Sequence, residues 1–150
     1  MKVVRNMKIG LASDHRGYYT KKAIKKILDE NSYDYEDYGT HSEDSVDYPD
    51  YAKILCENVN NKTVDLGIAI CGTGIGMSIA CNKIKGIRCG KVNNKEEAKM
   101  ARLHNNANVM ALSSNLDIND LKDIVLDFVK TEFSNEERHK RRIKKINELE

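Results

Sequence analysis

Short apolar runs alternate along the chain with stretches whose apolar residues recur every three or four positions. Residues 7–13 form the first run and are followed by the polar turn Asp14-His15-Arg16-Gly17, a strand and then a loop. From Tyr18 to Glu30 the residues Tyr19, Ala23, Ile24, Ile27 and Leu28 keep the helical period. Residues 33–38 alternate tyrosine with acid, which predicts a second strand at a sheet edge, ending at Gly39. A polar loop over 40–48 leads to Pro49, which fits the first turn of a helix running to Asn60 with Tyr51, Ile54, Leu55 and Val59 on one face. The pattern then predicts strands over 65–70, 87–92 and 108–112, and helices over 76–84, 95–103, 118–132 and 136–149.

Five short apolar strands separated by helices predict an α/β domain: a three-layer α/β/α, Rossmann-like arrangement with a five-stranded parallel sheet and an extended C-terminal helix. In such sheets ligands sit beyond the carboxyl ends of the strands. That end is expected to carry Asp14-His15, the stretch 71–76 and, after a helix, His104-Asn105. The length of 150 residues suits one domain. With 25 Lys+Arg against 23 Asp+Glu the net charge is +2, so no whole-molecule field argues for nucleic acid or membrane. No apolar run approaches the roughly 18 residues of a membrane span, and residues 1–6 lack the apolar stretch of a signal peptide, so a cytoplasmic protein is expected. The four cysteines lack C-x-x-C spacing and are expected to be reduced.

The most informative stretch is Ile70-Cys71-Gly72-Thr73-Gly74-Ile75-Gly76-Met77-Ser78, a strand that meets a thiol, three alternate glycines and the start of a helix. It is not a dinucleotide fingerprint, because Gly72, Gly74 and Gly76 do not follow the G-x-G-x-x-G spacing, and no lysine follows the last glycine as a Walker loop requires. A small-anion or oxyanion site remains, since such a loop aims unpaired N–H groups at a ligand. Close packing of helix on strand is the competing explanation of the glycines. Cys71 at a strand end could be a small core hydrophobe, but a thiolate is favoured beside a helix N-terminus, which suits a nucleophile or a general base. Cys56, Cys81 and Cys89 fall on apolar positions and are expected to pack.

Ser13-Asp14-His15-Arg16-Gly17, Asp47-Tyr48-Pro49, the stretch 70–78 with Ala80-Cys81-Asn82-Lys83, Gly86-Ile87-Arg88, Arg102-Leu103-His104-Asn105 and Arg138-His139-Lys140-Arg141-Arg142 together resemble the type B ribose-5-phosphate isomerases, whose family includes galactose- and allose-6-phosphate isomerases. The resemblance runs from about Met7 to near the C-terminus. It implies aldose–ketose interconversion of a sugar phosphate by ring opening and an enediolate, with no metal or other cofactor, within the non-oxidative pentose phosphate pathway. His104 corresponds to the ring-opening group, Asp14 and Asn105 to residues that orient the sugar, and Cys71 to the base. The N–H groups of Gly72, Gly74 and Gly76 would face the enediolate oxygen, and the Thr73 hydroxyl could carry a proton between the two sugar oxygens.

Arg138 and Arg142, one helical turn apart, and His15 correspond to phosphate ligands, and Tyr48 to a residue lining the sugar site. Met77 stands where another branch has a glutamate, which puts this chain with the cysteine-base branch. The resemblance also implies a homodimer or homotetramer in which His104 and Asn105 reach a neighbour's cleft. Many relatives carry Gly-x-Arg where this chain has Ser113-Ser114-Asn115. Two alternatives stay open beside a ribose 5-phosphate isomerase: a hexose 6-phosphate isomerase, and an inactive sugar-phosphate-binding module. Nucleic-acid binding through the basic run ranks below them, because Glu136, Glu137, Glu148 and Glu150 bracket it.

Overall fold

Five parallel strands, β1 (Lys8–Ser13), β2 (Asp34–Asp37), β3 (Leu66–Cys71), β4 (Cys89–Lys91) and β5 (Val109–Ser113), form one sheet in the order β2-β1-β3-β5-β4. Six helices alternate with and follow them: α1 (Tyr18–Glu30), α2 (Tyr48–Asn60), α3 (Ile75–Asn82), α4 (Lys95–Leu103), α5 (Ile118–Lys130) and α6 (Glu137–Asn147). This computed structural model describes residues 7–150, and the expectation for residues 1–6 lies outside them.

The expected elements are present with small shifts at their ends. Gly74 takes a left-handed φ of 78° and caps α3, so the helix starts at Ile75. Strand β4 is shorter than the apolar run, because the Arg88 N–H donates to the side chain of Asn108 (2.8 Å) instead of joining the ladder. Helix α5 ends at Lys130, where Thr131 turns extended.

Alternation along the strands makes the two faces of the sheet different. Ile9, Leu11, Ile68, Ile70, Met110 and Leu112 face α1 and α5, burying Ile24, Leu28, Leu121, Ile124 and Phe128. The opposite face is built of small residues, Ala12, Ala69, Cys71 and Ala111, and packs on Ala52, Leu55, Cys56 and Val59 of α2 and Met77 and Cys81 of α3. A Cβ on Gly10 would come within 2.8 Å of Leu55, so the missing side chain lets α2 lie close to the sheet. Cys56 and Cys81 are fully buried in that layer and Cys89 is half-buried at its edge, as expected of packing thiols.

The strand order reverses between β1 and β3: from β1 the chain moves out to β2 on one side, then crosses to β3 and on to the far edge β4 before returning to β5 between them. The carboxyl ends of β1 and β3 therefore flank the switch-point crevice in which open α/β sheets bind ligands. Beside it, Lys21 of α1 is almost wholly buried and holds the end of β2. Its Nζ lies 2.8 Å from Asp37 Oδ1 and also donates to the Thr40 carbonyl, while Lys25 reaches Asp37 Oδ2 at 3.2 Å. Burial pushes the Lys21 pKa down against the pull of Asp37. Burial works to raise the pKa of Asp37, but hydrogen bonds from Lys21, the Gly39 N–H and Lys25 outweigh it and hold the carboxyl below its ordinary range.

Lys21→Met leaves the half-buried Asp37 with Lys25 at 3.2 Å and the exposed His41 at 4.0 Å as its remaining basic partners. The variant is expected to lose about 3 kcal/mol of stability, read as a lower urea midpoint at unchanged slope. An unchanged midpoint would mean that the buried pair contributes nothing.

Candidate active site

The carboxyl end of β3 supplies the thiol. Cys71 closes the strand with 4% of its surface exposed, and its Sγ accepts the Gly74 N–H at 3.2 Å. The Thr73 hydroxyl oxygen accepts the Ile75 N–H at 3.1 Å. These bonds change the expected cradle, because the N–H of Gly74 is engaged by sulfur. The N–H groups of Gly72, Thr73, Gly76 and Met77 have no acceptor among the described residues and remain for a ligand.

The loop's glycines answer three different requirements. A Cβ on Gly72 would lie 2.9 Å from Arg16 Cζ, Gly74 needs its left-handed backbone, and a Cβ on Gly76 would lie 2.5 Å from Tyr48 Cζ. The Tyr48 ring thus rests on the first turn of α3 and walls the cleft, while remaining partly exposed. Met77 is fully buried beneath the loop.

Strand β1 ends beside it. The Asp14 N–H donates to the Ile70 carbonyl (3.1 Å), which sets Asp14 next to Cys71 across the switch point. Asp14 Oδ1 accepts the N–H groups of Arg16 and Gly17, both at 3.0 Å, and its second oxygen has no donor among the described residues. His15 Nδ1 accepts the Val46 N–H at 3.2 Å, so in the neutral ring the proton sits on Nε2, a donor on the half-buried side chain. The end of β5 completes the crevice. Ser113 Oγ donates to the Gly72 carbonyl at 2.8 Å and Asn115 Nδ2 to the same oxygen at 3.3 Å.

The remaining expected residues lie at the opposite end of the sheet, and this corrects the expectation that His104-Asn105 share the carboxyl end. Helix α4 starts after β4 and runs back, so His104 caps its C-terminus just before β5 begins. Strand β5 alone interposes about 13 Å, four residue steps of roughly 3.3 Å, between that edge and Ser113. Helix α6 docks there too: the rings of His104 and His139 meet in a tilted contact with centroids 4.4 Å apart and planes 39° to one another, and the Ser134 N–H donates to the Leu103 carbonyl. Arg138 Nε is 3.0 Å from Glu136, and Arg142, one turn on, is exposed. Arg88 donates to the carbonyls of Asn105 (3.2 Å) and Asn106 (2.9 Å) and fixes the turn that displays Asn105.

One chain therefore carries two half-sets at opposite ends of the sheet. Asp14, His15, Tyr48, Cys71, Gly72, Thr73, Gly74 and Gly76 form the first, and His104, Asn105, Arg138 and Arg142 the second. Four further residues at the two ends stood in the quoted stretches of sequence without an assigned role. Arg16, whose guanidinium lies on Gly72, stood in the motif without a role, and Arg88, Ser113 and His139 act through contacts that only the folded chain creates. Among the described residues no group of three or more His, Cys, Asp or Glu could hold a metal, and no helix is long and apolar enough to cross a membrane.

A thiol, a glycine cradle and a carboxylate thus meet at the switch point of a doubly wound sheet, the place where α/β proteins of this architecture bind small ligands. A family profile described as Ribose/Galactose Isomerase matches residues 9–146. The type B ribose 5-phosphate isomerase of Trypanosoma brucei superposes with a TM-score of 0.93 at 38% identity, over 97% of this chain and 100% of that one. The ribose-5-phosphate isomerase B of Clostridium thermocellum gives 0.92 at 44% identity, over 95% and 97%. The Mycoplasma genitalium ribose-5-phosphate isomerase B, solved with bound ribulose 5-phosphate, gives 0.89 at 40% identity, over 97% of both chains. This chain belongs to the ribose/galactose isomerase family.

Burial lowers the pKa of His139 and the neighbouring His104 lowers it further, with Arg138 and Arg142 acting the same way and Glu136 against them. A histidine whose folded pKa lies below its unfolded value of about 6.5 binds fewer protons when folded, so its burial leaves stability intact above that pH and erodes it as pH falls below. Thermal midpoints are expected to drop between pH 7 and 5 more steeply in the native protein than in His139→Gln. Parallel pH profiles would exclude this contribution.

Proposed function

We propose that the chain interconverts ribose 5-phosphate and ribulose 5-phosphate, in a site assembled from the carboxyl-end half-set of one copy and the second half-set of another. The observation that carries the two-copy site is the separation itself. Cys71 and His104 sit at opposite ends of one parallel sheet, so one chain cannot bring both to a five-carbon substrate. A homodimer or homotetramer is the simplest closed arrangement that joins them.

His104 moves a proton between the anomeric hydroxyl and the ring oxygen to open the sugar, with Asn105 and the free oxygen of Asp14 holding its hydroxyls. Cys71, as thiolate, removes the proton from C2 and returns it to C1. The developing enediolate oxygen meets the free N–H groups of the cradle, each such donor contributing about 3 kcal/mol to the transition state. The Thr73 hydroxyl, held by the Ile75 N–H, keeps its own proton available for exchange between O1 and O2. His15 through Nε2–H and the guanidinium groups of Arg138 and Arg142 take the phosphate, where Arg138 exchanges its surface partner Glu136 for the stronger anion. The chemistry uses proton transfers alone and calls on no cofactor. Such an enzyme would act in the cytoplasm on the phosphorylated pentoses of central carbohydrate metabolism.

Two measurements check this. Ribose 5-phosphate, allose 6-phosphate and galactose 6-phosphate are assayed side by side in deuterated water: turnover is expected on the pentose, with deuterium appearing at the carbon beside the carbonyl. Turnover confined to a hexose would make the hexose isomerase correct, and none on any sugar would leave a binding module. Cys71→Ala and His104→Ala are each expected to lose roughly 10³-fold in kcat. An equimolar mixture of the two, allowed to exchange subunits, should recover about a quarter of native activity, because half the dimers are mixed and carry one intact site. A mixture that stays inactive would place both residues in the same chain's site.

A further inference from the structure

We propose that Ser113 and Asn115 are positioning residues that aim the Gly72–Thr73 peptide so that its N–H faces the reacting oxygen; this rests on the isomerase assignment above. The Gly72 carbonyl is the most heavily engaged backbone group of the loop. It accepts Ser113 Oγ at 2.8 Å and Asn115 Nδ2 at 3.3 Å, with Ser114 Oγ at 3.5 Å. Ser113 is in turn held by the Asn115 N–H, which donates to its Oγ at 3.0 Å, so the two side chains form one clamp. The Ser114 N–H donates to the Cys71 carbonyl at 2.9 Å and ties the same segment to the residue bearing the thiol.

A trans peptide is planar, and its carbonyl and N–H point in opposite directions. Pinning the Gly72 oxygen toward the end of β5 therefore turns the Thr73 N–H away from β5, toward the crevice between β3 and β1. That N–H has no acceptor among the described residues. Donors on the carbonyl oxygen also polarise the peptide and strengthen its N–H as a donor. Without the clamp the Gly72–Thr73 unit could rotate about the ψ of Gly72 and the φ of Thr73, and glycine is the residue that least resists such rotation. Gly72 cannot acquire a stiffening side chain, because a Cβ there would meet Arg16 Cζ at 2.9 Å. The restraint must come from outside the loop, and Ser113 and Asn115 supply it. Asn115 is thus committed to a backbone oxygen of its own chain and is not itself a ligand of the substrate.

An aligned N–H acts on charge that exists in the enediolate and not in the bound sugar, so its loss appears in kcat more than in KM. The test uses full-length protein with Ser113→Ala, Asn115→Leu and the double variant, and the hydroxyl-preserving Ser113→Thr as control. Three quantities are read: kcat and KM on ribose 5-phosphate, affinity for a phosphorylated hydroxamate that mimics the planar, anionic enediolate, and affinity for ribitol 5-phosphate, which carries the phosphate and hydroxyls without an oxyanion. The double variant is expected to lose about tenfold in kcat and in hydroxamate affinity, with KM and ribitol 5-phosphate affinity within twofold of native, and Ser113→Thr to retain native kcat. Equal weakening of both analogues, or failure of Ser113→Thr to retain activity, would make the pair merely structural and overturn the proposal. Unchanged kcat in the double variant would overturn it as well. Absence of turnover in the native protein would instead overturn the isomerase assignment, and the clamp's role with it.

Discussion

All five strands run in the same direction, and this polarity governs where every side chain of the site can go. Residues that follow strands collect at one end of a parallel sheet, and residues that precede strands collect at the other. Asp14 follows β1, Cys71 ends β3 and Ser113 ends β5, so they meet. His104 and Asn105 precede β5 and are held away from them by the length of the strand. No loop adjustment can reverse that, because the strands between the two ends are buried in the core. A site that draws on both half-sets ties activity to assembly, and separated copies would hold incomplete sites.

The second requirement is close approach. The face of the sheet that meets α2 and α3 is lined by Ala12, Ala69 and Ala111, with Gly10 opposite Leu55, and this brings both helices near the strands. The start of α3 can then lie directly beyond Cys71, and Tyr48 at the start of α2 can rest on Gly76. Within the loop the hydrogen bonds divide into two kinds. Those from Gly74 to the thiol and from Ile75 to Thr73, together with those that hold the Gly72 carbonyl, set the shape of the loop. The N–H groups left over are available to a ligand, already oriented by the fold of the loop.

The other end of the sheet is organised by side chains that bond to backbone. Arg88 gathers the Asn105 and Asn106 carbonyls, Arg102 the carbonyls of Ala107 (2.7 Å) and Thr131 (3.2 Å), and Ser134 bonds His139 Nδ1 at 2.8 Å. These contacts fix the corner where α4 ends and hold His139 against His104. Apart from His139 and the half-buried Ile143 the side chains of helix α6 are exposed, so its basic face is displayed outward with His139 as the buried anchor.

The sequence by itself determined the alternation of strands and helices, because the periods of two and 3.6 are written into neighbouring residues and core burial enforces them. It also marked Cys71 with its glycines and the two histidine motifs, since thiol, glycine and imidazole chemistry is carried by residue type. It could not say that Gly74 is needed for its backbone, Gly72 for Arg16 and Gly76 for Tyr48, since each reason involves a partner distant in the chain or a dihedral angle. Nor could it reveal that Lys21 is buried against Asp37, that Ser113 and Asn115 grip Gly72, or that the His139 ring packs against His104. Above all, only the tertiary structure decided that the marked residues fall into two groups at opposite ends of the sheet. Motif spacing records which side chains are present, whereas strand direction and helix return, which are properties of the assembled layers, determine which of them can meet.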